Sequence, residues 1–160
     1  MRAVPDGKPV SASKIELTQV MLPQDTNSAG NVHGGTLMKL ADNAAFVVAS
    51  RHSRSNVVTA SVDRLDFLAP VYIGDLVILK ARLNWVGNAS MEIGIEIDAE
   101  DLFAGQVRHV AAALLTFVAL GPHGRPRNVP KLILETEEDR ILFEEAAGRA
   151  EERKRLRKKR

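Results

Sequence analysis

Residues 34–52, GGTLMKLADNAAFVVASRH, constrain this chain more than any other stretch. Leu37, Leu40, Ala41, Ala44 and Val48 recur at helical spacing, and Ala45, Phe46, Val47 and Ala49 widen the stripe. From Asn43 to Ala49 the predicted helix is apolar almost all round, so other elements must wrap most of its sides. Asp42 is its only carboxylate, and a carboxylate on so apolar a helix is costly unless something is gained by it. The loop TNSAGNVH, residues 26–33, rich in Asn and Gly, runs straight into that helix.

The remaining chain supplies the wrapping. Residues 1–13, rich in Pro, Gly and Ser, read as a flexible leader, and residues 14–22 as a first strand. Residues 56–120 read as antiparallel sheet. In 57–68, Val58, Ala60 and Val62 alternate, and the phase then shifts to Leu65 and Phe67. That slip at Asp63–Arg64 marks a bulge. Residues 76–86 form the next strand and Gly87-Asn88 a tight turn. MEIGIEIDAE alternates Met91, Ile93, Ile95 and Ile97 with Glu92, Glu96, Asp98 and Glu100, which predicts one buried and one wet face. The last strand is apolar on both faces over 111–120, so a second cover is expected, most simply another subunit. Residues 135–160 read as a helix, acidic first and basic last, in keeping with the helix dipole. Glu145–Arg149 and Glu151–Arg155 are spaced as i,i+4 pairs. The expected fold is α+β, a curved antiparallel sheet around one long central helix plus a C-terminal helix.

Composition removes several function classes. A length of 160 residues suits one domain. No apolar run reaches the length of a membrane span, and the first 13 residues lack the apolar core of a secretory signal. A cytoplasmic location is the expectation. The chain has no Cys, which excludes disulfides, thiolate nucleophiles and Cys-ligated metal. Residues 149–160 hold 8 of the 22 Lys and Arg and 2 of the 20 Asp and Glu. The rest therefore carries 14 basic against 18 acidic residues, a net charge of −4. A nucleic-acid-binding body would carry positive charge on its folded surface, so no nucleic-acid partner is expected.

The element order and the segments PQDTNSAGNVHGGTLMKLAD (23–42), VVTASVDRLDFLAPVYIGD (57–75), VGNASMEIGIEI (86–97), TFVAL (116–120) and GRPRNVPKL (124–132) resemble the hotdog-fold acyl-CoA thioesterases, in their acyl-CoA hydrolase branch. The resemblance covers residues 14–132 as a single hotdog domain, with residues 1–13 and the C-terminal helix of 133–160 outside it. It implies hydrolysis of an acyl-CoA thioester to free acid and CoA, with no metal and no cofactor beyond the CoA of the substrate. It also implies a homo-oligomer built from dimers, a trimer of dimers or a tetramer, with active sites between subunits. Asn27 and Asp42 match the family's catalytic positions and would come from two different chains.

The residues permit that chemistry. Gly34-Gly35 stands at the start of the helix, where unpartnered N–H groups at the positive dipole end suit a developing oxyanion. Asp42 lies about two turns further on, placed to activate water or to attack the thioester itself. Asn27 would orient the water or the carbonyl, although Thr-Asn before a Gly-rich loop is equally a plain Asx-turn. For CoA, Ser90 matches the family's Gly-x-x-Ser turn, and Arg64, Arg51, Arg125, Arg127 and Lys131 are chosen on charge, with solvated surface charge the competing reading. His33 is read as packing and His109 as facing the sheet interior or an interface. His52, His109 and His123 lack metal-ligand spacing. Two rivals remain: a hotdog hydratase or dehydratase, and a non-catalytic acyl-CoA sensor whose basic tail contacts DNA or a partner protein.

Overall fold

A computed structural model describes residues 6–160. Its elements run β1 (Gly7–Pro9), β2 (Ile15–Val20), α1 (Gly34–Ser53), β3 (Asn56–Phe67), β4 (Leu76–Val86), β5 (Ser90–Asp101), β6 (Gln106–Leu120), β7 (Lys131–Ile133) and α2 (Glu137–Arg157). Five strands form one antiparallel sheet in the order β2-β4-β5-β6-β3, and β1 pairs with β7 in a separate parallel ribbon. The sheet curls around α1, as its apolar circumference demands: Ala44, Ala45, Val48 and Ala49 are fully buried against Leu83, Ile93, Ile95 and Phe117. Burial on that scale, at about 25 cal/mol per Å² of apolar surface, is the main force holding helix and sheet together. The wrapping is incomplete, however. Asn43 and Phe46 remain exposed on α1.

Several expectations need correction. Residues 7–13 are not a loose leader, and residues 1–5 lie outside the described part. Strand β1 pairs with β7, Val10 is buried, and Lys8 Nζ donates to the carbonyls of His52 and Arg51 at the end of α1. A cation there complements the negative end of the helix dipole. Strand β3 carries two register shifts, one past Thr59 and one past Val62. The second is the expected bulge at Asp63. The first, at Ala60, reverses the phase upstream, so that Val57 is buried while Val58 is exposed.

The wet face of β5 is not wet at Glu92, which has no exposed surface. Helix α2 lies over that outer face and covers it there, so the second cover expected from another subunit is supplied in part by the chain itself. Arg149 donates to Glu92 from Nε and Nη2, both at 2.8 Å, instead of pairing with Glu145. Arg155 pairs with Glu152, not Glu151. Arg149, Arg153, Lys154 and Arg155 all sit in ion pairs, the first two against the sheet and the last two exposed on the helix. At the other end, Thr136 and Asp139 form a capping box that fixes where α2 starts. Among the described residues no helix is long and apolar enough to cross a membrane.

Candidate active site

The loop before α1 is shaped by its own side chains. Asn27 N–H donates to the Asn31 carbonyl at 2.7 Å, and Asn27 Oδ1 accepts from the N–H groups of Ala29 (2.9 Å) and Asn31 (3.2 Å). This is the Asx-turn, completed by Gly30 at φ +87°, a conformation that favours glycine. With Oδ1 committed to the backbone, the Nδ2 amide is what Asn27 can offer a ligand. His33 N–H then donates to the Asp25 carbonyl at 2.9 Å, which anchors the loop to the helix start.

Helix α1 begins without a side-chain cap at His33. His33 is exposed, contrary to the packing role expected of it. The N–H groups of Gly34 and Gly35 precede the first helical hydrogen bonds and are unpartnered among the described residues. A Cβ on Gly34 would meet Phe67 Cζ at 3.0 Å, whereas one on Gly35 would meet nothing within 4 Å. The open space in front of the helix terminus is thus at Gly35.

Asp42 sits on the wall of a cavity of about 290 Å³ between α1 and strands β3 and β6, with Gly35, Met38, Val62, Leu65 and Ala113 also lining it. It is half-buried, not stripped of water as its apolar helix suggests. Thr59 Oγ1 donates to Asp42 Oδ1 at 2.6 Å. That bond fixes the carboxylate's orientation and leaves Oδ2 free to act. Thr59 was not among the residues singled out from sequence. It lies two positions after buried Val57 and so faces the same helix, against the phase that Val58, Ala60 and Val62 suggest.

The remaining residues separate into groups. Asn27 does not line the Asp42 cavity of its own chain. Ser90 sits over the Gly87 turn, where a Cβ on Gly87 would meet its Oγ at 3.1 Å. The closing loop runs beside it: Val129 N–H donates to the Asn88 carbonyl and Arg127 N–H to the Ala119 carbonyl. His52 Nε2 bonds the Pro130 carbonyl at 2.7 Å and ties this loop to the end of α1. The closing loop that carries Arg125, Arg127 and Lys131 is thereby tied both to the turn before Ser90 and to the end of α1, where Arg51 lies nine residues beyond Asp42, about 14 Å along the helix. Arg64 does not join them. It lies on the outer face of the sheet, paired with Asp66. His109 also points outward, exposed, between Asp98 and Glu96, rather than into the sheet interior.

A hotdog sheet around a central helix, with a carboxylate on the helix and an open glycine pair at its start, defines a protein of the thioesterase superfamily, whose sequence profile matches residues 29–102. Within it, an acyl-CoA thioester hydrolase of Bacillus subtilis is 41% identical over 150 residues, 94% of this chain and 87% of that protein. The mouse cytosolic acyl coenzyme A thioester hydrolase is 38% identical over 147 residues, 91% of this chain but 39% of its own length. The acyl-CoA hydrolase of Staphylococcus aureus, solved with butyryl coenzyme A, coenzyme A and coenzyme A disulfide, superimposes with a TM-score of 0.87 at 37% identity, over 96% of this chain and 93% of that one. Its Asn-to-Ala, Asp-to-Ala and Thr-to-Ala variants have also been solved. A hexameric acyl-CoA thioesterase matches with a TM-score of 0.90 at 34% identity, over 94% of this chain and 97% of that one. The chain belongs to the acyl-CoA thioester hydrolase family.

Proposed function

We propose that the protein hydrolyses an acyl-CoA thioester to a free carboxylic acid and CoA, with Asp42 as the acting carboxylate. The observation that carries this reading is Asp42 itself, held by Thr59 at 2.6 Å on the wall of an apolar cavity. Asp42 Oδ2 takes a proton from water as the water oxygen bonds to the thioester carbon. The C–S bond then breaks, and the CoA thiolate accepts the proton. Alternatively the carboxylate attacks first, and water opens the resulting anhydride. Neither route needs a metal or a further cofactor. An Asn, an Asp and a Thr are the residue types replaced in the Staphylococcus aureus variants, and Asn27, Asp42 and Thr59 supply all three here.

The N–H groups of Gly34 and Gly35 polarise the carbonyl, each such donor contributing roughly 2.7–4 kcal/mol to the transition state. Gly35 and Asp42 of one chain line the same cavity, but the helix holds them apart. Seven residues of helix separate Gly35 from Asp42, about 10 Å along the axis, whereas a reacting carbonyl needs both within about 3 Å. In the proposal Asn27 and the glycine pair therefore come from one chain and Asp42 with Thr59 from its partner. Exposed Met38, Phe46 and Val62 on α1 and β3 favour a second copy against that face. The dimer is the unit, and the hexameric relatives favour three such dimers. Ser90, Arg51, Arg125, Arg127 and Lys131 take the pantetheine and phosphates of CoA. The cytosolic relative supports a cytoplasmic setting.

Thiol release from acetyl- to palmitoyl-CoA tests this. Asp42→Asn is expected to keep the fold and lose about 10²–10⁴-fold in turnover. Mixing inactive Asn27→Ala chains with inactive Asp42→Asn chains should restore about a quarter of wild-type activity, since half the reassorted dimers regain one intact site. No recovery after verified subunit exchange would place each site within one chain.

A further inference from the structure

The outer face of the sheet holds a buried polar cluster that the proposed chemistry does not use. Glu92 is its centre and has no exposed surface. It accepts from Arg149 Nε and Nη2 at 2.8 Å and from Asn84 Nδ2 at 3.0 Å. Arg153 Nη1 stands 3.5 Å from Glu92 Oε1 and 3.7 Å from Asp63 Oδ2, so it bridges the two carboxylates. Asp63 is the bulge residue of β3. Its Oδ2 accepts from Thr116 Oγ1 at 2.5 Å and its Oδ1 from Ser61 Oγ at 2.8 Å, and its side chain is 14% exposed. Two carboxylates and two guanidinium groups leave the cluster neutral. Its members come from five elements of the chain, β3, β4, β5, β6 and α2.

That cluster grips the one strand whose irregularity shapes the active site. A bulge shifts the pairing by one residue and exchanges the faces of all that follow. The register runs Thr59↔Phe117, Ser61↔Thr116, Val62↔Leu115, Arg64↔Leu114, so Ala60 and Asp63 are the inserted residues. Because of them Thr59 faces α1 and bonds Asp42, and Val62 and Leu65 both line the cavity. Asp63 points the other way, into the cluster. If Asp63 returned to the ladder, Val62 and Leu65 could not both face inward.

We propose that Asp63 is a positioning residue for the hydrolysis: held from the outer face by Thr116, Ser61 and Arg153, it keeps β3 in the bulged form that presents Thr59 to Asp42. Helix α2 thereby serves catalysis through Arg153 without meeting substrate. The inference rests on the reading of Asp42 as the acting carboxylate and Thr59 as its partner.

A double-mutant cycle on the intact oligomer tests it, with thiol release from the fastest acyl-CoA of an acetyl-to-palmitoyl panel. Asp63→Asn is expected to lower kcat about tenfold with KM little changed, the size of coupling found within one hydrogen-bonded network. In a Thr59→Ala background the same substitution should cost less than about twofold, because the contact it protects is already gone. A merely structural role would lower the thermal midpoint in both backgrounds and spare kcat well below it. An unchanged kcat, or a full tenfold loss in both backgrounds, overturns the proposal. If Asp63→Asn fails to fold, Arg153→Gln enters the same cycle with the same criteria. Asp42→Asn separates the two failures. An inactive Asp42→Asn beside an additive cycle refutes the positioning role alone, whereas an active Asp42→Asn removes the premise and both readings fall.

Discussion

Replacing Arg149 by Met should destabilise this protein far more than the loss of an ordinary helix ion pair. Glu92 is wholly buried and takes two of its hydrogen bonds from Arg149 at 2.8 Å. Removing one partner of a buried pair strands the other charge and costs about 3–5 kcal/mol. Two features place this case at the lower end. Arg149 is itself 34% exposed, and Arg153 remains 3.5 Å from Glu92. The expected loss is about 3 kcal/mol, or about 6–12 °C in Tm for a chain of this size, read by circular dichroism at fixed protein concentration. Exposed pairs such as Arg140–Glu144 set the contrast: water and salt screen them, and their loss should leave Tm nearly unchanged. Adding Glu92→Gln to Arg149→Met should recover part of the loss, because no unpaired charge then stays buried. Burial pushes the Glu92 carboxyl up, but the hydrogen bonds from Arg149 and Asn84, with the charges of Arg149 and Arg153, more than reverse this and hold it below its ordinary value of 4.5. A depressed carboxyl contributes stability that is fully present above about 4.5 and is lost as pH falls through the folded value. Wild type should therefore show an acid-labile component as pH falls below about 4.5 that Glu92→Gln lacks. A drop of less than about 2 °C in Arg149→Met, or a double variant no better than the single, would refute the argument.

Two further outcomes follow from the same geometry. His52 is buried, its Nε2 bonds the Pro130 carbonyl and its Nδ1 has no partner; burial, with Lys8 nearby, outweighs the carbonyl bond and pushes the ring below its usual 6.5. The neutral ring's contribution is therefore complete above pH 6.5 and drains as pH falls, by at most about 1.4 kcal/mol per pH unit; His52→Gln should flatten the Tm slope between pH 6.5 and 5, and an unchanged slope would acquit His52. Gly35→Ala adds a methyl that meets nothing within 4 Å, so Tm should stay within a few degrees, and helix propensity favours the change. If a thioester carbonyl docks at that N–H, the added methyl stands in its approach and kcat/KM should nevertheless fall, by up to about 10²-fold through misplacement, and full activity would free the helix start from its role.

The inner half of the fold was legible because it obeys one period at a time. The apolar stripe of 34–52 became α1 at Gly34–Ser53, and the phase slip at Asp63 became a bulge. The failures share a physical cause, since each residue's environment is set by a segment distant in the chain. Glu92 reads as wet because strict alternation puts it on the outer face; it is dry because a helix 57 residues later lays Arg149 across it. Residues 7–13 read as loose because nothing nearby holds them, yet β7 and the carbonyl end of α1 do. Thr59 was hidden by the bulge at Ala60, which reverses the phase that Val58, Ala60 and Val62 suggest. In the site, Asp42 and the glycine pair stood out as chemistry at odds with its surroundings, whereas Arg64 was chosen on charge alone, and the bulges turn it outward.

The outer cluster also explains how α2 can dock at all. Only Ala146 and Ala150 of its apolar residues are fully buried, with Leu142 and Phe143 half-buried, and so small an apolar contact does not by itself define where a 21-residue helix rests. Buried charges can, because a helix slid by one residue would strand Glu92 without Arg149, at a cost of several kcal/mol. Asn84 adds to the selectivity: it reaches Glu92 only because Gly94 is bare, where a Cβ would lie 2.8 Å from its Nδ2. An apolar cluster of the same volume would hold the helix as tightly but in more than one register. What the ionic cluster supplies is position, and the strand it grips at Asp63 is the one whose Thr59 bonds Asp42.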